Sequence, residues 1–324
     1  MYGAGLIVAL LGLTLCSSAS VVRRVSSRTN APSRCLTVGK SGSYSTVGDA
    51  LSALGSLTAD ACIYIAAGTY EEQLSIEYGG HLTLYGETSG TDTYKENTVT
   101  ITHTISSPEA GSLDKSATIN VKSALFSMYN INVVNGYGSG AQAVALVANA
   151  DRLGFYACKF TGYQDTLYAK AGHQYYTKSR IEGAVDYIFG DASAWFEDCD
   201  IVSNGPGAIT ASSRETPSDT AWYAIDHCNI KAASGVELTD DIYLGRPWRA
   251  LARVIYQHSV LSDIVNPKGW KPMAEGATPL YYEFNNTGDG SGTSKREYLS
   301  SIDAAVTKET VLGDDYKAWV DLSV

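Results

Sequence analysis

Six segments of this chain lie over one another: LFSMYNINVVN, LGFYACKFTGY, HQYYTKSRIEG, AWFEDCDIVSN, WYAIDHCNIKA and RVIYQHSVLSD. Each runs from aromatic or aliphatic residues through a small or polar one to an apolar residue that reads as buried. Taking that last residue as Val133, Phe160, Ile181, Ile201, Ile230 and Leu261, the steps are 27, 21, 20, 29 and 31 residues. A unit that starts near 20 residues and tolerates insertions is longer than the roughly 8 to 12 residues of a hairpin strand repeat. It suits a β-solenoid, in which each turn supplies a few short strands that stack on the next turn about 4.8 Å away. An antiparallel sandwich of alternating short strands gives a similar signal and is the competing architecture.

The flanks read differently. Val47, Ala50, Leu51 and Leu54 fall at helical spacing after a Gly/Ser-rich entry, which predicts a helix capping one open end of the solenoid. The last forty residues, with Tyr298 to Val306 and Tyr316 to Val320, read as loop plus short terminal helices packed on the outside.

Charge bounds the partners. Lys and Arg total 24 against 34 Asp and Glu, a net charge of −10, with no basic block, so nucleic acid is not an expected partner. Met1 to Ala19 carries no charged side chain and holds an apolar run from Leu6 to Leu15 before Ser17-Ser18-Ala19. This predicts a signal peptide at residues 1–19 and secretion, with a short propeptide reaching to about residue 34 and a single domain over 35–324. The run is shorter than the roughly 18 residues of a membrane span, and no membrane association is expected. The chain is expected to act as a monomer.

Removing Cys16 with the signal leaves Cys35, Cys62, Cys158, Cys199 and Cys228. Five thiols cannot all pair, and the close spacings make Cys35 with Cys62 and Cys199 with Cys228 the simplest bridges, with a buried free thiol as the alternative at each position. No CxxC, HExxH or HxH spacing occurs, and His81, His103, His173, His227 and His258 are scattered, so neither metal nor other cofactor is expected. Asn285-Asn286-Thr287 is a sequon, which in a secreted chain predicts a glycan on Asn285 in a surface loop.

A solenoid makes neighbours of polar residues one turn apart. Gln142, Gln164 and Asp186 are each separated by 22 residues, and Asp165 lies 21 before Asp186. Two carboxylates on adjacent rungs cannot both ionise comfortably, so one holds a proton near neutrality. That asymmetry gives an ionised nucleophile or base beside a protonated acid, with amides at hand for a developing oxyanion. Polar ladders also stack for purely structural reasons, and the spacing alone does not choose between the two readings.

The wording of several blocks does choose. GYQDTLYA (162–169), IEGAVDYIFGDASAWFEDC (181–199) and YLGRPW (243–248) resemble the signature blocks of pectin methylesterases, the fungal ones above all. AGTYEE (67–72), YGET (85–88), GSGAQAVAL (138–146) and the closing LGDDYKAWVD extend the resemblance over nearly the whole mature chain, in order. The resemblance implies an all-β, single-stranded right-handed parallel β-helix that hydrolyses methyl esters of pectin to pectate and methanol in the plant cell wall. It implies Asp186 as nucleophile, Asp165 as general acid and then base, and Gln142 and Gln164 as oxyanion donors. Arg246 is implied to hold Asp186, and Trp248 to line the sugar site. Tyr163, Phe189 and Trp270 are expected to extend the aromatic floor, with a place in the core as the alternative for each.

Two other readings compete. A pectate lyase would need calcium, and a polygalacturonase would need paired acids at the separation of sugar-bond hydrolysis. A non-catalytic carbohydrate-binding solenoid would have no use for Arg246. The absence of a G-x-S-x-G elbow argues against a serine esterase.

Overall fold

The structure is a computed structural model that describes Met1 and residues 26–324. The expected signal peptide therefore lies almost wholly outside the described residues. One turn of the chain illustrates the rest: the strand His173–Thr177 is followed by Arg180–Gly183, then Ile188–Gly190, then Ser193–Glu197, which lies beside the first. Repetition builds three sheets of ten, eight and seven strands, each receiving one strand per turn. Pairing is parallel along all three. This is the right-handed parallel β-helix expected from the repeat and the family blocks, and the sandwich alternative is excluded.

The repeat alignment coincides with the observed register. Val133 pairs with Phe160, Phe160 with Ile181, Ile181 with Ile201, Ile201 with Ile230 and Ile230 with Leu261. All six side chains are essentially inaccessible. A second inner column stacks Phe155, Tyr176 and Phe196 face to face, with centroids 4.7 Å apart at each step. Burial of these columns drives the coil to close, because the strands individually are too short to hold together.

The capping helix spans Val47–Leu54 and buries Val47, Ala50 and Leu54. Thr46 accepts a hydrogen bond from the Asp49 amide at its start. The Glu72 carboxylate, from the first turns of the solenoid, accepts from the Val47 and Gly48 amides, both at 2.8 Å. The free N–H groups of the helix are thus met by an anion of the body it covers. Near the C-terminus, the helix Lys308–Leu312 and the single turn Tyr316–Ala318 lie against the outside of the ten-stranded sheet, across its middle strands. Val311, Leu312, Tyr316 and Val320 pack there on Tyr156, Tyr175, Trp195 and Ile255, and no helix forms over 298–306.

At the corner between the ten- and eight-stranded sheets a left-handed residue recurs: Asn130, Ala157, Lys178, Asp198, His227, His258 and Asn285. From Ala157 onward a small polar residue follows each: Cys158, Ser179, Cys199, Cys228, Ser259 and Asn286. This ladder corrects one expectation. Cys35 and Cys62 are disulfide-bonded, but Cys199 and Cys228, like Cys158, are free and buried. Their 29-residue separation is a rung spacing. The two side chains occupy equivalent corners, and each thiol faces carbonyls of its own and the preceding turn, Cys199 those of Glu197 at 3.3 Å and Tyr176 at 3.6 Å, Cys228 those of Asp226 at 3.3 Å and Phe196 at 3.5 Å.

Residues 26–34 are part of the body. Arg28 and Thr88 exchange backbone hydrogen bonds, and the Arg28 guanidinium donates to Asn130 and lies 4.7 Å from the Tyr85 ring centre. Among the described residues no helix is long and apolar enough to cross a membrane.

Candidate active site

The seven-stranded sheet carries the polar constellation. Leu146, Leu167, Ile188, Thr210 and Gly245 form one register column along it. Asp165 and Asp186 each stand two residues before a member of that column, so they occupy the same position on adjacent turns. Both are in the left-handed region, with φ of 66° and 50°. Such backbone is unfavourable for most side chains and tolerated best by Asn and Asp. It turns each carboxyl across the end of its strand while the Asp165 and Asp186 amides remain bonded to Val185 O and Ala208 O.

Register also revises the 22-residue pattern. The ladder partner of Gln164 is Val185, so Gln164 and Asp186 stand one position out of step. The 21-residue step from Asp165 to Asp186 is the one that stacks.

Arg246 follows the last strand of the column, Ile242–Gly245. Its Nε donates to Asp186 Oδ1 at 2.8 Å and its Nη2 to Oδ2 at 2.7 Å. The bond to Asp186 raises the guanidinium above its ordinary value. Gly245 is required immediately before it, because a Cβ there would lie 2.1 Å from Thr210 Oγ1. Asp165 is 3% exposed. Burial, and then the neighbouring Asp186 charge, push its carboxyl up to about 8, against the opposing pull of the Gln142 amide and Arg246. Near neutrality the pair therefore holds one proton on Asp165, beside an Asp186 clamped by a cation through both oxygens.

Gln142, Asp165, Asp186, Phe189, Ala211, Trp248 and Met273 line a small cleft over the two carboxyls. Gln164, half-buried and adjacent to Asp165, is outside that lining. Trp248 is half-buried, its ring centre 5.9 Å from that of Phe189. Tyr163 is half-buried and lies against Gly205, away from the cleft. Trp270 belongs to the core: it is fully buried, stacks on Tyr281 at 4.0 Å and donates its Nε1 to Glu283. The buried Arg296–Glu283 pair beside it explains the difference, since the indole N–H finds its partner inside the body.

Two cleft neighbours escaped the sequence reading. Tyr168 stacks on Phe189 at 4.3 Å, with Lys170 Nζ 5.4 Å from its ring, and Met273 is exposed on the cleft wall. Tyr168 was findable, because it stands 21 residues before Phe189 and pairs with it directly. Met273 lies outside any repeat and carried no signal.

A family model described as Pectinesterase matches residues 35–317. The Aspergillus oryzae protein named "Probable pectinesterase A" is 80% identical over 323 residues, covering both chains in full. The solved pectin methylesterase from Aspergillus niger is 74% identical with a TM-score of 0.92, covering 92% of this chain and all of that one. The pectin methylesterase from carrot is 29% identical with a TM-score of 0.80, covering 90% of this chain and 97% of that one.

Proposed function

Because this chain belongs to the pectinesterase family and its reaction is the demethylation of pectin, we propose that Asp186 is the nucleophile and Asp165 the proton carrier of that hydrolysis. Asp186 attacks the ester carbonyl carbon, and the carbonyl oxygen becomes an oxyanion. The Gln142 and Gln164 amides donate to it. Asp165 gives its proton to the departing methanol as the C–O bond breaks, leaving an acyl group on Asp186 and a carboxylate at Asp165. That carboxylate takes one proton from water as the water oxygen attacks the acyl carbon, the bond to Asp186 breaks, and the galacturonic acid product releases its remaining proton to solvent to become pectate carboxylate. Both groups return to their starting states.

The observation that carries these roles is the pair itself: a carboxylate clamped by Arg246 at 2.8 and 2.7 Å, on the turn after a carboxyl pushed up to about 8. Trp248 lines the cleft and supplies a ring face for the sugars, and Phe189, 2% exposed and stacked on Tyr168, supports the cleft floor beside it. For Gln164 the support is the resemblance and its place beside Asp165, whereas Tyr163, which does not line the cleft, receives no role in substrate binding. The deciding experiment follows methanol release and carboxylate titration on highly methylated pectin, with EDTA present, for wild type and Asp186→Asn. Equimolar methanol and acid from wild type alone bears the assignment out. Chain scission without methanol would sink it.

We further propose that residues 1–19 are a signal peptide, that the enzyme is secreted and acts as a monomer on cell-wall pectin without cofactor, nucleic acid or membrane as partner, and that Asn285, exposed at a corner, carries a glycan. The docking of Arg28 on Thr88 and Asn130 supports a mature domain that begins at or before Ser26 rather than at Cys35. N-terminal sequencing of the secreted protein tests this, and a start at Cys35 would refute it.

A further inference from the structure

His227 and His258, which share no motif spacing, occupy successive left-handed corners of the β-helix, with φ of 52° and 50°. Their rings stand 4.9 Å apart. Asp226, on the strand Trp222–Asp226, turns its carboxylate onto the same corner, and its Oδ1 lies 3.0 Å from His227 Nδ1 and 2.9 Å from His258 Nδ1. Gln257 Nε2 donates to that oxygen at 3.2 Å, so the carboxylate is held in place from within the turn. Its side chain is 8% exposed, whereas the imidazoles are 56% and 32% exposed.

We propose that Asp226, His227 and His258 form a surface site for a borderline divalent cation of the zinc or copper kind, outside the catalytic cleft. The ligand chemistry fits: two neutral imidazoles and one carboxylate suit Zn²⁺ and Cu²⁺ and are a poor set for Ca²⁺ or Mg²⁺, which demand oxygen. The spacing also fits. A tetrahedral ion with bonds of about 2.0 to 2.1 Å sets its ligand atoms about 3.3 Å apart. The two nitrogens are already near that distance from the oxygen and all three ligand atoms lie within 4.8 Å of one another, so a cation enters between them as the rings turn to close on it, each neutral imidazole keeping its proton on Nε2. Three protein ligands leave the outer positions to water on the exposed side. The ligands come from successive turns, so the ion ties two rungs together at the corner between the ten- and eight-stranded sheets, whereas the cleft lies on the seven-stranded sheet.

The test is calorimetric titration of the full-length secreted enzyme with ZnCl₂ at pH 7.5 in a non-chelating buffer, alongside His227→Asn, His258→Asn and the double variant. Both imidazoles are partly exposed, so the variants should fold, and their methanol release on pectin verifies this. The expected result is one equivalent of zinc bound by wild type. Each single variant weakens it by about tenfold or more, the double variant abolishes it, and the thermal midpoint rises with zinc in wild type only. Absence of binding by wild type, or equal binding by wild type and the double variant, overturns the proposal.

Discussion

Arg246 holds both oxygens of Asp186, at 2.8 and 2.7 Å, from sixty residues further along the chain. The Asp186 side chain is 9% and the Arg246 side chain 24% exposed, so the pair is only partly solvated. Its value lies in orientation: a planar fork fixes the carboxylate plane, which a point charge cannot.

Arg246→Lys keeps the charge and loses one of the two parallel hydrogen bonds. kcat for methanol release should fall by about 10- to 100-fold, with KM changed much less. A variant with wild-type kcat would show that charge alone suffices.

Asp165 is protonated below its elevated value of about 8 and ionised above it. The protonated form is the acid, so kcat/KM should decline above about pH 8, by roughly tenfold per unit. The same shift makes the native state bind more protons than the unfolded chain between the ordinary carboxyl value and about 8, so Asp165 weakens the fold as pH rises through that window. Asp165→Asn should therefore be inactive yet stabilising, by about 1 to 3 kcal/mol more at pH 9 than at pH 5. Urea unfolding at the two pH values measures this, and an equal effect at both would contradict it.

Trp248 and Trp270 separate function from packing. Trp248→Ala should raise KM or lower kcat on pectin while leaving the denaturation midpoint within about 1 kcal/mol of wild type. Trp270→Ala removes a fully buried ring stacked on Tyr281 and should cost about 3 to 5 kcal/mol. The reverse pattern in paired activity and unfolding assays would exchange their roles.

The disulfide and the thiols make a further contrast. Cys35–Cys62 closes a loop with a sequence separation of 27 at the capped end, and its removal should cost about 3 to 4 kcal/mol. Cys199→Ser should cost no more than about 1 to 2 kcal/mol, because Ser179 and Ser259 already fill equivalent corners and bond there. Thiol labelling of the unfolded, unreduced mature protein should modify Cys158, Cys199 and Cys228. Detection of a Cys199–Cys228 peptide would refute the ladder.

The repeat was legible because the inner face of a β-helix admits one kind of side chain per position. The column from Val133 to Leu261 could therefore be aligned across insertions of up to eleven residues, and the observed register follows it. The same logic placed Asp165 and Asp186 on adjacent turns. It failed for Gln164, where equal numerical spacing concealed a one-position offset from Asp186. Strand side chains alternate faces, so a single step changes what a residue meets.

Sequence by itself determined the class of fold, the order of its turns and the two carboxyls that stack, since all three rest on patterns that repeat along the chain. Tertiary structure decided which Trp faces the cleft, that Cys199 and Cys228 remain free thiols, and that His227 and His258 meet at Asp226. Those outcomes depend on the direction of each side chain at a corner and on loops of unequal length laid side by side. Hydrophobicity tells a residue to be buried or exposed, but direction comes from backbone geometry, and that exists only once neighbouring turns are hydrogen-bonded together.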